Sequence, residues 1–100
     1  MLFILFGYDD PEKSHLRYEN YEAHKQHIAS ATDHGIRILV GGPLLKEDGD
    51  RMIGSFLLVE AESKATLEAF VGRDPFKRLG LWKEVHIERF EQRSGSVKVV

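Results

Sequence analysis

His24 and Asp74 are the residues of this 100-residue chain whose types best suit proton transfer. A carboxylate that accepts from one imidazole nitrogen leaves the other nitrogen to act as base or acid. Tyr21, His24, Ile28 and Ala31 recur at intervals of three, four and three, which puts the histidine on the inward stripe of a helix. An inward imidazole needs a polar partner, because a buried polar group without one is costly. Asp74 is the candidate partner, placed by Pro75, which disfavours the α conformation for the residue before it and so ends the preceding helix. Each residue also has a plainer structural reading. An inward histidine is commonly a core residue satisfied by one hydrogen bond, and Asp-Pro is a common turn or cap. The case rests on the pairing of the two from different helices.

Around this pair stand weaker candidates for substrate binding: Arg17, Tyr21, Gly42, Pro43 and Phe76. Arg17, one turn before Tyr21, can reach an anion, although a surface arginine is the plainer reading. Tyr21 and Phe76 suit a pocket wall. Gly41-Gly42-Pro43 lets backbone approach a ligand, or simply ends a strand. The lack of a following helix argues against a phosphate loop. No metal site is expected. His24 and His27 are three apart, whereas helical zinc ligands favour a spacing of four, and that position is Ile28. His15 and His86 read as ordinary.

The elements that must carry these residues follow from periodicity. Residues 2–8 are a buried strand, closed by the turn signal Asp9-Asp10-Pro11. A helix is predicted from Ser14 to His34, stopped by Gly35, which accepts the left-handed conformation. Residues 36–44 and 53–61 read as strands joined by a polar hairpin loop. Ser63 caps a second helix through residues 64–71, with Thr66 failing to complete a capping box, and residues 82–91 form a fourth strand. The order β-α-β-β-α-β is the ferredoxin-like α+β arrangement, an antiparallel four-stranded sheet with two helices on one face. Leu2, Ile4 and Phe6 alternate with Phe3 and Leu5, and Ile53, Leu57 and Val59 with Phe56 and Leu58, so both sheet faces are apolar. A half-solvated sheet alternates apolar with polar. The second face therefore predicts a homodimer packed sheet to sheet. The domain is expected over residues 1–92, with 93–100 a frayed tail in preference to an exchanged strand.

Composition narrows the function. A formal net charge of −2 argues against a nucleic-acid partner. The strand order is shared with RNA-recognition domains, but Met52, Ile53 and Ser55 break their aromatic signature on the third strand. The absence of cysteine removes disulfides and thiolate catalysis and suits a reducing cytoplasm. The apolar start is too short to span a membrane, so no membrane partner is expected. No dinucleotide or phosphate-loop fingerprint is present, and no cofactor is expected.

Arg17 and His24 seven apart, Gly35 eleven beyond that histidine, "GGPL" at 41–44 and "DPF" at 74–76 occur in the order of a known family. In these motifs, which span most of the chain, the sequence resembles the YCII-related (YciI-like) family of the dimeric α+β barrel superfamily. The resemblance implies a ferredoxin-like fold that dimerises through its sheet, and an active-site pair at His24 and Asp74. One relative of that family removes chloride from a chlorinated hydroxyquinol, and most members have no assigned substrate. Two departures stand out. One residue more than the family pattern lies between Gly35 and the Gly-Pro, which implies a bulge in the second strand. Tyr21 stands where some relatives carry arginine, which removes an anion anchor. The expectation is a cofactor-independent enzyme of elimination or isomerisation type, with His24 as base or acid, oriented by Asp74, on a small-molecule ligand. The alternative is a non-catalytic ligand-binding dimer in which His24–Asp74 is structural.

Overall fold

Alternation in the first strand sets the two faces of the sheet. Phe3 and Leu5 point to the side the helices cover, while Leu2, Ile4 and Phe6 point away. The structure is a computed structural model and describes residues 1–98. Its strands are β1 (Leu2–Asp9), β2 (Arg37–Leu45), β3 (Met52–Glu60) and β4 (Trp82–Phe90). Its helices are α1 (His15–Glu19), α2 (Tyr21–Ala29), α3 (Lys64–Gly72) and α4 (Pro75–Arg78). The sheet order is β2-β3-β1-β4, with every neighbouring pair antiparallel. This is the expected ferredoxin-like α+β architecture.

The core lies between the sheet and the helices. Phe3, Leu5, Leu57 and Val59 meet Leu67 and Phe70 of α3. Leu5, Val59 and Leu67 are fully buried, and each such side chain stabilises the fold by about 1.5–3 kcal/mol relative to exposure. Ser63 caps α3 by accepting from the Thr66 N–H at 3.1 Å. The second strand carries the bulge implied by its extra residue, because the β2–β3 register shifts between Ile38 and Val40.

The long first helix does not run unbroken from Ser14 to His34. It divides at Asn20, whose side-chain amide donates to Leu16 O at 3.0 Å and competes with the helical ladder. It divides again at Ser30, whose hydroxyl donates to His27 O at 2.6 Å, and Ala31–His34 continue as a 3₁₀ turn. Both polar side chains offer the backbone an alternative that apolar periodicity does not register. Residues 93–98 of the expected tail form no helix or strand, while Val99 and Val100 lie outside the described residues. No helix among the described residues is long and apolar enough to cross a membrane.

Gly35 ends the 3₁₀ turn with φ at 73°. A side chain in that left-handed conformation costs roughly 1–2 kcal/mol. Gly35→Ala is therefore expected to lower the unfolding free energy by that amount, read as a lower urea midpoint at an unchanged m-value, and an unchanged midpoint refutes the role of the turn.

Candidate functional site

The Asp74-Pro75 step starts a helix as well as ending one. Asp74 has the extended conformation that the following proline imposes, with φ −66° and ψ 131°. Its Oδ1 accepts from the Phe76 N–H at 2.9 Å, which caps the single turn of α4. The same carboxylate reaches α2. His24 Nδ1 lies 2.9 and 2.8 Å from the two Asp74 oxygens. Carboxylate oxygens accept, so the Nδ1–H donates, and Nε2 has no protein partner among the described residues. Asp74 is buried and the His24 side chain is 14% exposed, so the dyad is hidden at one end and reachable at the other.

Phe76 completes the mounting of the imidazole. Its buried ring stacks on that of His24 with centroids 4.1 Å apart and planes 12° from parallel. Trp82 meets the same histidine edge-on at 6.2 Å. Offset or perpendicular aromatic contacts of this kind are individually worth about 0.5–1.5 kcal/mol, and together they restrict the ring to one orientation.

His24 opens onto a cleft of about 380 Å³ between α2 and strands β2 and β3. That volume is in the range of small-molecule sites. Of the residues singled out in the sequence, Arg17, Tyr21, His24, Gly42 and Pro43 line this cleft. Asp74 and Phe76 do not. They form the layer behind His24, because α4 turns their side chains into the core, where Phe76 is fully buried. Phe76 is thus a support for the imidazole and not a wall of the pocket.

Arg17 also differs from its plainer reading. It is 2% exposed, and its guanidinium forks onto Asp9, with Nε donating to Oδ2 at 2.6 Å and Nη2 to Oδ1 at 2.8 Å. It lies 4.7 Å over the Phe76 ring and donates through Nη2 to Ser55 Oγ at 3.0 Å. The charge is therefore neutralised inside the protein. Asp9 is brought into range where the β1–β4 register shifts between Tyr8 and Asp9, a local irregularity of the kind that re-aims a side chain.

Asp9, Ser55 and Trp82 are the neighbours that sequence reasoning missed. Trp82 Nε1 donates to Ser55 Oγ at 3.3 Å, and both residues line the cleft. The indole lies against Gly7, where a Cβ atom would meet Trp82 at 3.0 to 3.2 Å. Gly7 and Ser55 are register partners across β1 and β3. A glycine in the middle of an apolar strand was the available signal, since it marks a close approach by another group. His27 is occupied elsewhere: its Nε2 lies 2.7 Å from Phe70 O, and its ring stacks on Phe70 at 4.2 Å.

The geometry fixes a tautomer. In the neutral ring, ¹⁵N NMR is expected to show the pyrrole-type resonance at His24 Nδ1 and the pyridine-type resonance at Nε2. The reverse assignment would mean that Asp74 does not hold the ring.

Among solved structures, the chain is similar to the 5-chloro-2-hydroxyhydroquinone dehydrochlorinase (TftG) of Burkholderia phenoliruptrix AC1100, solved in complex with 2,5-dihydroxybenzoquinone. The two are 35% identical with a TM-score of 0.84, over 93% of this chain and 96% of that one. Two more distant likenesses show the fold alone. The protein At3g17210 from Arabidopsis thaliana is 13% identical with a TM-score of 0.55, over 96% of this chain and 98% of the other. A protein assigned as an antibiotic biosynthesis monooxygenase from Bacteroides thetaiotaomicron VPI-5482 is 18% identical with a TM-score of 0.57, over 100% and 95%. No curated protein matches the chain by sequence. The sequence model of the YCII-related domain matches residues 1–91, and the chain belongs to that family.

Proposed function

We propose that the chain is a small-molecule enzyme that removes HX, hydrogen halide in the simplest case, from an oxygenated aromatic ring by acid–base chemistry. The observation that carries this reading is the His24 imidazole, held at Nδ1 by buried Asp74 with Nε2 free at the cleft. The dehydrochlorinase likeness supports the reaction class. Nε2 takes a proton from the substrate, and the electron pair left behind moves through the ring system. That pair expels the halide, which leaves with its bonding electrons. The product has lost one proton and one halide ion, and the imidazolium passes its proton to water. Nothing is oxidised or reduced overall, so the step needs no redox cofactor. Asp74 holds the ring in register and stabilises the imidazolium while it exists. General-base catalysis of this kind is worth about 10²–10⁴-fold in rate.

The test is chloride release from 5-chloro-2-hydroxyhydroquinone. The wild-type protein is expected to release chloride. His24→Ala should lower kcat by about 10²–10⁴-fold while remaining folded and still binding 2,5-dihydroxybenzoquinone. Asp74→Asn, which keeps an acceptor but loses the charge, should also lower kcat. Binding without chloride release in the wild type sinks the enzyme reading and leaves a ligand-binding module.

We further propose that the second sheet face makes a homodimer. Leu2, Ile4, Phe56 and Leu58 pack there with Leu39, and this cluster includes no helical residue. Light scattering should give twice the chain mass for the wild type and the single-chain mass for Ile4→Lys. A monomeric wild type at micromolar concentration would remove the proposal.

A further inference from the structure

Ser55 is 5% exposed and stands in the wall of the cleft. Its oxygen is fully used as an acceptor: Arg17 Nη2 donates to it at 3.0 Å and Trp82 Nε1 at 3.3 Å. A guanidinium and an indole N–H can only donate, and a hydroxyl oxygen has two lone pairs. The Ser55 proton therefore cannot go to either neighbour, and no acceptor among the described residues takes it. The space left for it is the cleft.

We infer that Ser55 is the donor that recognises substrate here, its O–H given to an oxygen carried on the substrate ring. This rests on the acid–base reading of His24 and extends it to the substrate class. Two donors pulling on Oγ, one of them cationic, polarise the O–H and strengthen it as a donor. Beside the Tyr21 hydroxyl and the Lys25 ammonium, the cleft then presents an acceptor, His24 Nε2, and a donor, Ser55 Oγ. That pair is complementary to a ring bearing an ionisable hydroxyl and a second oxygen conjugated with it, as in quinols and hydroxyquinones. As the proton leaves for His24, charge accumulates on the conjugated oxygen, where Ser55 stabilises it.

The charges at the cleft are partly balanced within the protein. Arg17 is already forked onto Asp9 through Nε and Nη2, so a carboxylate balances its charge before any ligand enters the cleft. Lys25 at the cleft is paired with Glu22 at 3.1 Å.

The test combines calorimetric binding of 2,5-dihydroxybenzoquinone with chloride-release kinetics, on wild type, Ser55→Ala, Ser55→Thr and His24→Ala. Ser55→Ala is expected to weaken binding about 10- to 100-fold, the loss of a hydrogen bond to a charged oxygen, and to raise KM. Ser55→Thr, which keeps the hydroxyl, should recover most of the affinity. A folded Ser55→Ala that binds as the wild type does, beside a His24→Ala without turnover, overturns the role of Ser55 and spares the acid–base reading. A wild type that neither binds nor turns over quinols and hydroxyquinones overturns both. If Ser55→Ala fails to fold because the Arg17 and Trp82 donors lose their acceptor, the crystal structure of the wild-type complex decides. A ligand oxygen within hydrogen-bonding distance of Ser55 Oγ supports the inference, and a ligand seated in the cleft with none within reach ends it.

Discussion

Two oxygens of one buried carboxylate hold together the parts of this molecule that face the cleft. Asp74 caps α4 through the Phe76 N–H and accepts from His24 Nδ1 on α2. The cap sets where Phe76 begins its turn, and the Phe76 ring is the surface on which the imidazole lies. Helix end, aromatic platform and histidine orientation are therefore one structural event. Proline makes it dependable, since Pro75 already holds Asp74 in the extended conformation that an N-cap requires. A carboxylate buried to this extent is costly unless its oxygens are satisfied, and here each oxygen has a donor.

A second polar group is built on the same logic against the same Phe76 ring. Burying Arg17 alone would be prohibitive, and it is tolerated because Asp9 receives its fork and Ser55 a further hydrogen bond. Trp82 donates to the same Ser55 oxygen, lying flat where Gly7 leaves room. Phe76 links the two groups, touching the His24 ring on one hand and the Arg17 guanidinium on the other. The His24–Asp74 and Arg17–Asp9 pairs thus share an aromatic neighbour. Displacement of that ring would disturb both the base and the donor set.

What the sequence disclosed, and what it hid, divides along the range of the interaction. Strand alternation, the inward stripe on the first helix and the stop at Gly35 are local patterns, and each was legible. The bulge in β2 was legible only against the family pattern, in which that stretch is one residue shorter. The His24–Asp74 pairing joins residues far apart in sequence, but a proline-fixed aspartate beside an inward histidine limits the choices. Arg17 was legible as a residue and not as a buried one, since its environment depends on an irregularity that turns Asp9 inward. The donors around Ser55 required the cross-strand register of β1, β3 and β4. The helix breaks at Asn20 and Ser30 were hidden because side chains that compete for backbone carbonyls leave the apolar rhythm intact.

The placement of the cleft also constrains what dimerisation can do. Arg17, His24 and Asp74 come from the helical layer, and Ser55 and Trp82 from the sheet face that this layer covers. The apolar cluster of Leu2, Leu58 and their neighbours lies on the opposite face of the same sheet. A partner seated there would cover apolar surface without having to complete the acid–base set. It would stiffen β1 and β3, the strands that carry Gly7 and Ser55. In that arrangement the dimer face and the acid–base pair lie on opposite sides of one sheet, joined through the strands that form the floor of the cleft.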